Sequence, residues 1–154
     1  MKAKPRVLVS MCLLGIECRY DGRGNSCGRL NRLMQLAELI PACPEIMGGL
    51  TTPRAPSERA GERVCAKDGS DVTAQFHRGA EQAVRLAQIF DVKYALMKSR
   101  SPSCGSGMIY DGTFTGNRIP GDGVTVEKLK AAGIPVYSEE QIDQLIEILE
   151  GEEQ

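Results

Sequence analysis

The sequence predicts an α/β fold, a single domain with a Rossmann-like open, mostly parallel sheet and helices on both faces. Three observations carry this. Short aliphatic runs such as Val7-Leu8-Val9 and Tyr94-Ala95-Leu96-Met97 have the length and composition of buried parallel strands. Between such runs, apolar residues recur at helical spacing from Phe76 to Phe90 and from Ile142 to Leu149. The resulting order, strand then helix repeated, belongs to sheets that bind ligands at the carboxyl ends of their strands.

Taken in order, Arg6-Val7-Leu8-Val9-Ser10 reads as a strand ending in a polar residue just before Cys12. A loop with turn chemistry follows, over Asp21-Gly22-Arg23-Gly24-Asn25-Ser26. Leu30, Leu33, Met34 and Ala37 then trace a helix that stops before Pro41, and a short strand, about Leu39 to Ala42, delivers Cys43 to the sheet edge. Glycines and prolines between Gly48 and Ser70 predict an irregular excursion with one hairpin around Arg63 to Lys67. Phe76, Ala80, Ala83, Val84, Ala87 and Phe90 form one apolar helix face, with Asp71 or Thr73 as the cap. Lys93 to Lys98 is a further central strand.

Met108 to Thr115 reads as a hairpin with an Asp111-Gly112 turn. Thr125 is expected to cap a helix running to Ala132, with Gly133 at its carboxyl end and a late strand over Ile134-Pro135-Val136-Tyr137. Ser138-Glu139-Glu140-Gln141 has the form of a capping box, and Ile142, Leu145, Ile146 and Leu149 give the last helix its buried stripe. Residues 1–150 are read as one domain and 151–154 as a frayed tail.

With 154 residues, 42% of them hydrophobic and 25% charged, the chain has the composition of an ordinary soluble globule. A domain this size buries roughly 68–70% of its unfolded surface, enough for a core without staples. The formal net charge of -1 argues against a protein built to coat nucleic acid or an anionic membrane and favours a small neutral or polar ligand. No apolar run reaches the length of a membrane span or a signal-peptide core, so the expected location is cytoplasmic. In that reducing compartment six cysteines point to metal or thiol chemistry rather than disulfides.

Cys12, Cys43 and Cys104 each fall where a strand is expected to end, beside proline, serine or glycine. Three thiolates converging at one sheet edge would make a soft metal site with an open coordination position. Cys18, Cys27 and Cys65 lie inside polar loops with no shared placement and are read as bystanders. No C-x2-C pair occurs, so any such site must be assembled by the fold. The sole histidine, His77, lies in a helix and suits a structural role, so a general base is better sought among carboxylates. Glu45, two residues past Cys43, is the candidate base; the alternative is a loop carboxylate paired with Arg54 or Arg19. The Gly-x-Gly strings lack a phosphate-loop pattern, although Gly105, next to Cys104, would let backbone amides approach the sulfurs of a metal centre.

Three blocks make the chain recognisable. Val9-Ser10-Met11-Cys12-Leu13-Leu14-Gly15-Ile16-Glu17-Cys18-Arg19-Tyr20-Asp21-Gly22 resembles the amino-terminal signature of the thiouracil desulfurase family, bacterial proteins formerly of unknown function. Pro41-Ala42-Cys43-Pro44-Glu45-Ile46-Met47-Gly48-Gly49-Leu50, with Pro53-Arg54-Ala55-Pro56-Ser57-Glu58, resembles its second block, and Lys98-Ser99-Arg100-Ser101-Pro102-Ser103-Cys104-Gly105 its third.

The resemblance implies a [4Fe-4S] cluster held by Cys12, Cys43 and Cys104, with one iron not bound by the protein and free to take sulfur from a thiolated pyrimidine. It further implies Glu45 as the residue that activates water and Ser101 as a catalytic residue; Ser103, close by, is a further catalytic candidate, and Arg19 and Arg54 are substrate-binding candidates for orienting the ring. The expected reaction is hydrolysis of 2-thiouracil to uracil and sulfide without electron transfer. The expected partner is a small thiolated nucleobase, with no membrane; the near-neutral charge disfavours nucleic acid, and thiolated RNA remains an alternative substrate. Two competing readings are a non-enzymatic module that binds or senses iron-sulfur or sulfide, and a plain α/β domain with structural thiols.

Overall fold

The computed structural model describes residues 3–153. Along the chain the elements are β1 (Arg6–Ser10), α1 (Leu30–Leu36), β2 (Glu38–Ala42), α2 (Pro44–Met47), β3 (Ser57–Ala60), β4 (Arg63–Ala66), α3 (Thr73–Ile89), β5 (Tyr94–Met97), β6 (Met108–Tyr110), β7 (Arg118–Pro120), α4 (Val124–Ala131), β8 (Val136–Ser138) and α5 (Ile142–Glu153). Strands β2, β1, β5 and β8 pair in that order into one open, all-parallel sheet.

The central strands β1 and β5 are covered on both faces, which accounts for their unbroken apolar runs. Alternation of side chains decides the layers. Val7, Val9 and Leu96 face Leu33 and Leu36 of α1 and Leu145, Ile146 and Leu149 of α5. Leu8, Ala95 and Met97 face Ala87 of α3 and Val126 and Leu129 of α4. Helices thus cover both faces, as the strand and helix order predicts. No helix among the described residues is long and apolar enough to cross a membrane.

Several local expectations need correction. Helix α1 ends at Leu36, because Ala37 is already extended, and the chain enters β2 at once. The strand expected over Leu39 to Ala42 is present, with Pro41 in register with Val9 and tolerated because β2 is an edge where one missing N–H costs no ladder bond. Met34 faces solvent rather than the α1 stripe. The first hairpin turns at Gly61, whose φ of 63 suits glycine, and its second arm is Arg63–Ala66. In the second hairpin the return strand is Arg118–Pro120, not Thr113–Thr115. The Asp111 carboxylate accepts N–H bonds from Thr113 and Asn117, so Asp111-Gly112 opens a wide loop over 111–117 instead of a two-residue turn.

Helix caps differ similarly. Val72 is the N-cap of α3; Asp71 instead accepts the Thr73 N–H, and the Thr73 hydroxyl accepts the Val64 N–H. Gly123 precedes α4, while Thr125 sits fully buried inside it. The capping box at Ser138 and Gln141 is present and opens a 3-10 turn leading into α5. Helix α5 continues through Gly151 to Glu153, so helix covers the first three residues of the segment expected to fray; Gln154 lies outside the described residues.

Helices α2 and α3 meet at two glycines. A Cβ on Gly48 would sit 2.0 Å from the Gln75 carbonyl oxygen, and one on Gly79 would sit 1.8 Å from that of Pro44. Only glycine at both positions lets the end of α2 seat directly on α3. That seat fixes the short helix carrying Glu45.

Candidate active site

Three adjacent parallel strands, β2, β1 and β5, end on the same side of the sheet, and each leads to a cysteine: Cys43, Cys12 and Cys104. Neighbouring strands lie about 4.8 Å apart, so the fold itself brings the three turns together. The chain passes from β2 on one side of β1 to β5 on the other, which makes β1 and β5 the switch point where open sheets form a crevice. All three cysteines line one cavity there, of about 480 Å³.

Each thiol is positioned by local chemistry. Cys12 lies in the 3-10 turn Met11–Leu14, and Cys43 is the residue before Pro44 at the start of α2. The Cys104 loop is wound around Ser101, whose hydroxyl oxygen accepts the N–H groups of Ser103 at 3.1 Å and Cys104 at 3.0 Å. Ser10, at the end of β1, accepts the Lys98 N–H at 2.9 Å and so ties the ends of β1 and β5 beneath the cavity. Its hydroxyl donates to the Met97 sulfur at 3.7 Å.

Burial pushes the Cys12 thiol up to about 11, with the neighbouring Cys43 adding to the shift and Lys98 opposing it. Burial likewise raises Cys104; the Ser10 hydroxyl opposes this, and the charges of Cys12, Cys43 and Glu45 add to it. The three strand-end thiols therefore interact with one another. Ionising them together needs a local positive charge, which bound metal supplies. Among the described residues no three His, Cys, Asp or Glu side chains are grouped to hold one metal ion. A cluster asks for something else, separate soft thiolates that face one cavity and each take their own iron, and Cys12, Cys43 and Cys104 fit that demand.

Glu45 lines the same cavity, presented by the first turn of α2. Its carboxylate pairs with Arg54 at 3.1 Å, the side chains being 18% and 9% exposed, so the pairing expected by one of the two sequence readings of Glu45 is present. Burial raises its pKa, and Arg54 partly offsets the rise. Arg54, expected as a substrate-binding residue, lines the cavity, with its guanidinium donating to Glu45, the Thr51 carbonyl, the Thr52 hydroxyl and the Cys18 carbonyl. Arg19 also lines the cavity, with its guanidinium on Asp21 at 3.1 Å and above the Tyr20 ring.

Other placements depart from the sequence reading. Ser103 is fully buried, bonded to Thr125 at 2.8 Å and absent from the cavity wall, because consecutive side chains in this turn point different ways. It fastens the Cys104 loop to α4. Gly105 donates its N–H to the Ser101 carbonyl and is glycine because a Cβ would meet that oxygen at 2.7 Å. Cys18, set aside on sequence, does reach the cavity; burial, followed by the Cys43 charge and a hydrogen bond to its thiol, raises Cys18 to about 12. Lys98 also faces the cavity, paired with Glu139 at 3.0 Å. Cys27, Cys65 and His77 are not on its wall.

The chain has counterparts among known proteins. The family model for 2-thiouracil desulfurase matches residues 7–141. The chain belongs to that family. Among solved structures, the [4Fe-4S]-dependent thiouracil desulfidase TudS superposes with a TM-score of 0.89 at 45% identity, over 96% of this chain and 99% of that one. An uncharacterized protein of Bacillus subtilis (strain 168), YbbK, is 39% identical over 150 residues, covering 91% of this chain and 99% of the relative. This desulfurase-family chain therefore spans its relatives nearly end to end, and the likeness includes every element that borders the cavity.

Proposed function

We infer that the protein is a [4Fe-4S]-dependent desulfurase that hydrolyses a thiolated pyrimidine such as 2-thiouracil to uracil and sulfide. The observation that carries this reading is the convergence of Cys12, Cys43 and Cys104 on a cavity that also holds the buried Glu45. Family membership and the likeness to TudS agree with it.

In this reading Cys12, Cys43 and Cys104 hold the cluster, leaving one iron without a protein ligand. When bound, the cluster supplies a soft Lewis acid matched to thiocarbonyl sulfur rather than carbonyl oxygen. Glu45 accepts a proton from the water whose oxygen replaces sulfur on the ring carbon, and burial keeps that carboxylate basic enough for the task. Arg54 fixes the carboxylate by its Nε contact. Ser101, whose oxygen already accepts two backbone N–H bonds, keeps its hydroxyl hydrogen for the substrate. Arg19 lies on the wall with donors beyond its Asp21 contact, placed to orient a ring carbonyl. The balance is thiocarbonyl plus water to carbonyl plus hydrogen sulfide, so no reductant is consumed.

Anaerobic reconstitution followed by incubation with 2-thiouracil tests the reading. Uracil and sulfide are expected in equal amounts without added reductant. A protein that takes up no iron overturns it, and a loaded protein that releases no sulfide would instead be a binding or sensing module.

A further inference from the structure

The chain has four tyrosines and three phenylalanines. Tyr20, and Tyr110 with Phe114 from the β6–β7 hairpin, all line the thiol cavity. Such a concentration of aromatic faces around one cavity suits a planar ring.

Phe114 is the unusual member. It lies in the loop between β6 and β7 at φ 58, a left-handed conformation that bulky residues rarely adopt without a restraint. The restraint is visible. Glu58, on β3, uses one carboxylate oxygen to accept the N–H of Gly112 at 2.9 Å and that of Phe114 at 3.1 Å. Gly112 is itself required: its φ is 96, and a Cβ there would meet that of Ala60 at 2.7 Å, so the loop is pressed against β3. Gly116, also on the cavity wall, carries the chain onward. Phe114 is half-buried in this position.

We propose that Phe114 is the stacking platform for the thiolated base, presented by a loop that Glu58 holds in its left-handed conformation. The proposal rests on the desulfurase reading and adds to it. Sulfur affinity selects a thiocarbonyl without selecting the ring that bears it, whereas a flat aromatic face selects a planar heterocycle through dispersion over its whole area. Phe114 is the binding residue; Glu58 is a positioning residue that acts through it.

The test uses anaerobically reconstituted holoenzyme and reads KM and kcat for 2-thiouracil, calorimetric binding of uracil, and the visible spectrum of the cluster. Phe114→Leu keeps much of the volume and loses the aromatic face. It is expected to raise both KM and the uracil Kd about tenfold while leaving kcat and the spectrum unchanged, and Phe114→Tyr is expected to restore both. Glu58→Ala should raise KM in the same way, and Glu58→Gln, whose amide oxygen still accepts both N–H groups, should restore it. Wild-type turnover with unchanged KM and uracil binding in Phe114→Leu overturns the platform alone. A loaded wild type without turnover overturns the desulfurase reading, and the platform with it.

Discussion

The two ends of the central sheet each carry a cavity, and they differ in kind. At the amino ends of the strands a space of about 700 Å³ is bounded by Lys4, Arg6, Glu38, Phe90, Asp91, Lys93, Tyr94 and Glu152. Its charges answer one another: Arg6 with Glu38, Lys93 with Asp91, and the Tyr94 hydroxyl with Glu152. These groups are exposed, where such pairs contribute little. At the carboxyl ends a smaller cavity of about 480 Å³ gathers buried thiols and a buried carboxylate. Chemistry follows from groups held out of water with properties they would not have in it, and volume alone confers none.

The largest expected effect that sharpens this contrast is at the cysteines. Cys12→Ala, Cys43→Ala and Cys104→Ala should each lose the cluster and with it all turnover, read as iron per chain and visible absorbance. Cys18→Ala should keep both, although Cys18 shares the cavity. Loss of iron only in Cys18→Ala would reassign the ligand set.

Next is Glu45→Gln, which should retain the iron and lower kcat by about 10²- to 10⁴-fold, the usual worth of a general base. Unchanged kcat would remove Glu45 from proton transfer. Arg54→Met comes third: it leaves a buried carboxylate without its partner and should cost about 3 kcal/mol in denaturant unfolding, along with part of the turnover. Stability equal to the parent would show that Arg54 does not hold Glu45. The smallest effect belongs to the other end of the sheet. Lys93→Ala breaks an exposed pair and should change stability by about 0.5 kcal/mol or less and kcat not at all. A clear loss of turnover there would break the distinction between the two ends.

The sequence made some parts of this molecule legible because their causes are local. The aliphatic runs of β1 and β5, the apolar face of α3 and the capping box at Ser138 depend on neighbours within a few residues. Cys12, Cys43 and Cys104 were legible for a related reason: a strand end followed by a turn is a local pattern, and a parallel sheet gathers such ends. What was not legible depends on contacts far along the chain. Cys18 reaches the cavity because its segment folds back, its carbonyl accepting from Arg54 and the Tyr20 carbonyl accepting the Arg54 N–H. The Arg54 guanidinium reaches the Cys18 carbonyl, 36 residues away in the chain, which its sequence neighbours do not announce. Ser103 stood beside Ser101 in sequence, yet its side chain turns toward Thr125.

The most direct measurement is iron anomalous scattering from crystals of the reconstituted protein grown without oxygen. The expected result is one cluster in the cavity at the carboxyl edge, with the sulfurs of Cys12, Cys43 and Cys104 each on a separate iron and the remaining iron facing Glu45. Iron bound elsewhere on the chain, or a cluster held by Cys18 in place of one of the three, would contradict the account.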